Sequence, residues 1–138
     1  MTAERSRRSP WIWAISFVAI SFGLLTIRAG GTVLFGSAAA RSAAGHYVPF
    51  VLWFNFLAGF AYVVAGVGLW LERRWAAWLA LVIAVATALV FAAFGVHVLA
   101  CGDYELRTVA AMSLRTLVWT AIAVVALLAR RRLMVRES

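Results

Sequence analysis

Four long apolar runs constrain this chain more than anything else in it. A helix rises 1.5 Å per residue, so about 20 residues cross the ~30 Å of hydrocarbon in a bilayer. The runs lie at about residues 11–35, 49–71, 75–101 and 104–129, with a loop of about residues 36–48 between the first two. Little of the 138 residues is left for a soluble domain. At 65% hydrophobic residues and a mean hydropathy of +0.94, the chain is also well above the roughly half apolar content of soluble domains. The expected fold is therefore an all-α membrane protein: one integral membrane domain, a four-transmembrane-helix bundle in up-down-up-down order.

The position of the charge decides what the net +8 means. Arg5, Arg7, Arg8, Arg73, Arg74, Arg130, Arg131, Arg132 and Arg136 all flank spans at ends that share one side in this order. That is the positive-inside pattern, and it predicts a multi-pass membrane protein with both termini cytoplasmic. The same pattern argues against nucleic acid as a partner, since the basic residues address topology and the anionic lipid bilayer. A single cysteine rules out an internal disulfide and a Cys-x-x-Cys redox pair.

Ser9 and Pro10 supply an N-cap and a proline at the first helical position. The basic start and apolar run could also be a secretory signal, with Ser37 to Ala40 as its cleavage region. The run is too long and too far from that region, and opens with interfacial Trp11 and Trp13, so a retained signal-anchor helix is expected. The stretch from Gly30 to Tyr47 is read as an outer loop. In the second span Asn55, Gly59, Tyr62 and Gly66 form one stripe, whose small residues allow close helix approach. Glu72, Arg73 and Arg74 make a tight inner turn. In the third span Thr87, Phe94, His97 and Cys101 fall roughly on one face. Gly102 is expected as a left-handed helix stop, Asp103 as the N-cap of the fourth span, and Glu105 in its first turn.

Chemistry-bearing residues concentrate between His97 and Trp119. Arg115 is the sharpest signal, because a charge at membrane depth costs roughly 2.5 to 3.5 kcal/mol on insertion scales and normally faces the bundle interior or water. The competing reading is that it snorkels or pairs for structural reasons. Arg107, Ala111, Arg115 and Trp119 share a stripe that could guide an anion, a carboxylate or a quinone carbonyl inward. For Arg107 alone the structural reading, a pairing with Asp103 four residues earlier, is favoured. His97 and Cys101 have the spacing of half a metal site, which His46 or Met112 would complete, against a histidine hydrogen-bonded to Asn55, Tyr62 or a carboxylate. No Ser-His-Asp order, phosphate-binding loop or intramembrane carboxylate pair appears, so no catalytic residue is assigned. The tryptophans are read mostly as an interfacial belt. The candidate pocket is Asn55, Tyr62, His97, Arg107, Met112 and Arg115, opening outward.

The run Gly59-Phe-Ala-Tyr62-Val-Val-Ala-Gly66-Val-Gly68-Leu-Trp70-Leu-Glu-Arg73-Arg74-Trp-Ala-Ala-Trp-Leu-Ala resembles the DoxX-like group of small four-helix bacterial membrane proteins. Arg28 and the glycines after it are loosely similar, and the resemblance covers about the first two-thirds of the chain. It implies a plasma-membrane subunit or accessory protein linked to redox or quinone metabolism, sometimes with a partner protein, and carries over no catalytic residue. Three functions are open: an accessory or ligand-binding protein, a component of an oligomeric transporter or channel for a small solute, and a structural or assembly factor of a larger membrane complex. No cofactor is assigned, with quinone or a metal as the groups to look for.

Overall fold

The computed structural model describes residues 10–137, which form five helices: α1 (Pro10–Phe35), α2 (Ala38–Ala44), α3 (Pro49–Trp70), α4 (Arg74–Leu99) and α5 (Leu106–Glu137). No strand occurs among the described residues. Ser9, Arg5, Arg7 and Arg8 lie outside the described residues, as does the side chain of Arg136. Helices α1, α3, α4 and the Leu106–Arg132 part of α5 are long and apolar enough to cross a membrane. Their outward surfaces carry large apolar side chains, among them Phe17, Leu57, Val82, Leu89 and Leu117. In water such a surface would drive aggregation, whereas in hydrocarbon it needs no cover.

With no hydrophobic force between helices in lipid, close backbone approach has to hold them together. Helix α1 meets α3 through glycines: a Cβ on Gly59 would come within 2.7 Å of Ile27, one on Gly66 within 2.7 Å of Ile20, and one on Gly30 within 3.0 Å of Phe56. The partners descend along α1 as the glycines ascend along α3, so contact is kept over three turns. The Gly59 and Gly66 face is thus filled by α1 of the same chain. Helix α3 continues onto α4 and α4 onto α5, while α5 closes on α1 only sparsely.

Two apolar clusters fill the bundle. The larger is built of small residues, Ala19, Ala65, Ala76, Ala77, Ala80, Ala84, Ala123 and Ala126, with Leu69, Ile83 and Ile122 between them. The smaller joins Val48, Val51, Phe94 and Met112. Near the larger cluster, Trp13 at the start of α1 meets Trp70 at the end of α3, their centroids 5.7 Å apart. The Arg130 guanidinium lies 5.7 Å over the Trp78 ring, joining α5 to the start of α4.

Both interhelical turns end in the same way, and neither uses glycine at the left-handed position. After α3, Glu72 has φ 53°. Its N–H donates to Leu69 O, and the Arg73 N–H donates to Gly68 O. After α4, Cys101 has φ 62°. Its N–H donates to Val98 O, and the Gly102 N–H to His97 O. These are the paired bonds of a Schellman ending, which satisfy the last carbonyls of each helix. The left-handed residue is therefore Cys101 and not Gly102, and α4 stops at Leu99 rather than 101. Gly102 is needed for space: a Cβ there would sit 2.3 Å from His97 Nε2.

The connection between α1 and α3 also differs from expectation. It contains α2, N-capped by Ser37, whose Oγ accepts from the Ala40 N–H at 3.3 Å. It ends at Gly45, with φ 69°. The fourth span starts at Leu106 instead of 104, because Asp103 lies in the extended link with its carboxylate turned to His46 and its carbonyl to His97. Glu105 precedes the first turn and offers its carbonyl to the Thr108 and Val109 N–H groups. At the other end α5 runs past 129 to Glu137, since Leu, Ala, Met and Arg are good helix formers and no Gly or Pro interrupts them. Its arginines there also suit the negative end of the helix dipole.

Candidate functional site

The site lies where the two apolar clusters fail to meet. On α3 the stretch from Asn55 to Tyr62 separates Val51 from Ala65. On α4 Thr87 lies between Ala84 and Phe94, and on α5 Arg115 lies between Met112 and Trp119. Five buried polar atoms along these stretches have no hydrogen-bond partner among the described residues: Asn55 Oδ1, Tyr62 OH, Thr87 Oγ1, Arg115 Nε and Trp119 Nε1. Ser16 Oγ is a sixth, lower on α1. Each such atom costs roughly 1 to 3 kcal/mol, so a row of them is an expensive feature to keep in a small bundle.

Aromatic rings floor this polar layer. Tyr62 and Trp119, both fully buried, lie 4.6 Å apart between centroids, and Phe22 stacks on Tyr62 at 6.1 Å. Pairs of this kind add about 0.5 to 1.5 kcal/mol beyond burial and fix ring positions. They join α1, α3 and α5 in one sheet of rings. Trp119 is accordingly a core residue and not part of the interfacial belt. The Tyr62 hydroxyl makes no hydrogen bond to another described residue.

Arg115 lies over this floor, its Cζ 6.0 Å from the centroid of the Phe22 ring. Among the described residues no carboxylate pairs with it and no acceptor takes its Nε hydrogen. It borders a groove of about 240 Å³ lined by Phe22, Leu25, Thr26 and Ala29 of α1 and by Ala111, Leu114 and Arg115 of α5. Leu25 and Leu114 are 63% and 53% exposed, so the groove opens on the flank of the bundle between α1 and α5. The opening follows from the sparse contact between these two helices.

The six pocket residues inferred from sequence divide into separate groups. Arg115 lines the groove, and Tyr62 is buried behind it, its ring stacked on the Phe22 ring over which Arg115 lies. Asn55 is buried on α3 two turns from Tyr62, and Met112 is fully buried in the smaller apolar cluster. His97 is at the end of the bundle that carries α2, its Nε2 3.2 Å from Asp103 O and its ring 6.4 Å from Phe50. Arg107 turns away from Arg115: its guanidinium donates to Ala43 O at 3.1 Å and lies 3.9 Å from Glu105 rather than pairing with Asp103. Glu105 also accepts the His46 N–H at 2.9 Å, and His46 Nδ1 lies 3.8 Å from the Asp103 carboxylate. His46, His97, Asp103, Glu105 and Arg107 thus fasten the α2 strap to the start of α5.

The chain matches no family model, no curated protein and no solved structure. Function therefore rests on the site alone. Among the described residues no group of three or more His, Cys, Asp and Glu side chains is placed to hold a metal ion. Cys101 is exposed on the Schellman turn, while the rings of His46 and His97 are both directed to Asp103. Phe22, Leu25, Thr26 and Ala29 of α1 and Leu114 of α5 are the groove residues that sequence reasoning missed. The α1 stripe is indistinguishable from a lipid-facing surface until α5 is placed against it.

Proposed function

We propose that this protein is a small inner-membrane accessory protein that binds an amphipathic ligand at the polar layer around Arg115 and Tyr62. The observation that carries this reading is a guanidinium with no carboxylate partner among the described residues, set over the Phe22 ring at the edge of an open groove, in a bundle that also holds several unsatisfied buried polar atoms. An intramembrane cation normally has a partner, and a bound ligand can be that partner. The ligand reaches the site from the flank, through the α1/α5 groove, rather than from the outer end, where the α2 strap is fastened down. The DoxX-like resemblance of the α3–α4 region agrees with an accessory role near redox or quinone metabolism. The proposed arrangement is up-down-up-down with both termini cytoplasmic. It is supported by the descending α1/α3 contacts and by Arg73, Arg74, Arg130, Arg131 and Arg132 flanking the end that holds Trp13, Trp70 and Trp78.

The test is native mass spectrometry of protein released from its own membranes. The wild type is expected to carry a small-molecule adduct, which Arg115→Leu loses while keeping its helical content and thermal stability. An identical set of adducts in both proteins would remove the basis for a site at Arg115.

A further inference from the structure

We infer that the ligand of the α1/α5 groove is a long-chain carboxylic acid bound as its carboxylate, with its head on Arg115 and its chain running out of the flank into the bilayer. This inference deepens the reading of Arg115 as a binding site and rests on it. Arg115 is the only charged residue among the seven that line the groove, and the other six present hydrocarbon, apart from the Thr26 hydroxyl. A single fixed positive charge with no carboxylate partner among the described residues calls for a ligand carrying one negative charge. A neutral quinone carbonyl can accept a hydrogen bond, but leaves the guanidinium charge uncompensated in hydrocarbon. A phosphate monoester brings more than one negative charge and would leave the excess without a counter-charge. The planar fork of a guanidinium matches the two oxygens of a carboxylate, which suits the orphaned Nε.

The shape of the groove selects the same class. From Phe22 to Ala29 the α1 wall is about 10 Å long, enough for the first part of one alkyl chain. Only two helices line the groove, so one chain fits between them more readily than the branched glycerol of a phospholipid. Phe22, Tyr62 and Trp119 block the direction toward the alanine-rich cluster, leaving the exposed side by Leu25 and Leu114 as the way out. A ligand with a polar head and one apolar tail fits both features, and a compact hydrophilic anion fits neither.

The experiment uses the full-length protein in phosphatidylcholine nanodiscs and a stearic acid spin-labelled near its methyl end, with immobilised probe read by electron paramagnetic resonance. Unlabelled stearate should displace the probe, whereas stearyl alcohol, a neutral isoprenoid quinone and phosphatidylglycerol should not. Arg115→Gln should weaken binding by roughly thirtyfold or more, as removal of one partner of a buried charge pair does. Ala29→Trp, which narrows the groove and leaves Arg115 untouched, should weaken it as well, and serves if Arg115→Gln folds poorly. Equal displacement by the alcohol or the quinone would overturn the carboxylate assignment, and displacement by phosphatidylglycerol would replace it with a phosphodiester. Absence of immobilised probe in the wild type, or binding unchanged in both variants, would overturn the inference. The native mass comparison of Arg115→Leu separates these failures from failure of the site itself.

Discussion

Cys101 and Gly102 show how one residue's conformation can be misassigned when its neighbour looks better suited. Glycine is the usual left-handed helix stop, yet here Cys101 adopts φ 62° and Gly102 makes room for the His97 ring. A left-handed non-glycine residue carries a penalty of roughly 1 to 2 kcal/mol. Cys101→Gly should therefore stabilise the protein by about 1 kcal/mol, while its exposed side chain leaves no cavity behind. Gly102→Ala should do the opposite, because its methyl group meets the imidazole that holds Asp103 O. Thermal unfolding of the two variants in detergent checks both signs. If Gly102 were the left-handed residue, Gly102→Ala would still destabilise but Cys101→Gly would bring no gain.

At the scale of elements, the glycines divide into those that carry helix contact and one that does not. Gly59 faces Ile27 and the Gly23 carbonyl, at 2.7 and 3.1 Å from a built Cβ, so Gly59→Val must push α1 away from α3 along much of their shared length. Gly95, on the same kind of helix, has nothing within 4 Å of its Cβ position. Gly95→Ala should be neutral or stabilising by up to about 1 kcal/mol through helix propensity, whereas Gly59→Val should lower the melting temperature sharply in the same assay. The stripe of Asn55, Gly59, Tyr62 and Gly66 was legible from its spacing, as were the four apolar runs, because both follow from helix periodicity. Which helix the stripe meets was not, since four apolar helices can be arranged in more than one order. The α2 helix was legible in principle: Ser37, an alanine-rich stretch and Gly45 are a start, a body and a stop, obscured by the expectation of a loop. Arg115 stood out because a charge at membrane depth is costly. Its neighbours Phe22 and Thr26 did not, because a groove wall between helices has the same composition as a surface facing lipid.

For the whole molecule, the contacts give the bundle two unlike ends. One carries the tryptophans Trp13, Trp70 and Trp78 with Arg73, Arg74 and the α5 arginines. The other carries the α2 strap, where Asp103 and Glu105 offset Arg107 and Arg41 and leave little net charge. The 32 residues of α5 measure about 48 Å, well beyond the hydrocarbon thickness, so its arginine-bearing end extends past the bilayer toward the headgroups and the water beyond. The proposed orientation, drawn from the positive-inside bias, puts the basic end in the cytoplasm. The chain supplies its own reporter of this orientation, because its only cysteine is exposed at the opposite end. A membrane-impermeant maleimide added to intact spheroplasts should label Cys101 without lysis. With that thiol removed by Cys101→Ser and a new one introduced by Met134→Cys, at an exposed position on the last turns of α5, labelling should require lysis. The reverse pattern would place the arginines outside and leave the α1/α5 groove facing the opposite leaflet, so that its ligand would be drawn from cytoplasmic-side lipid.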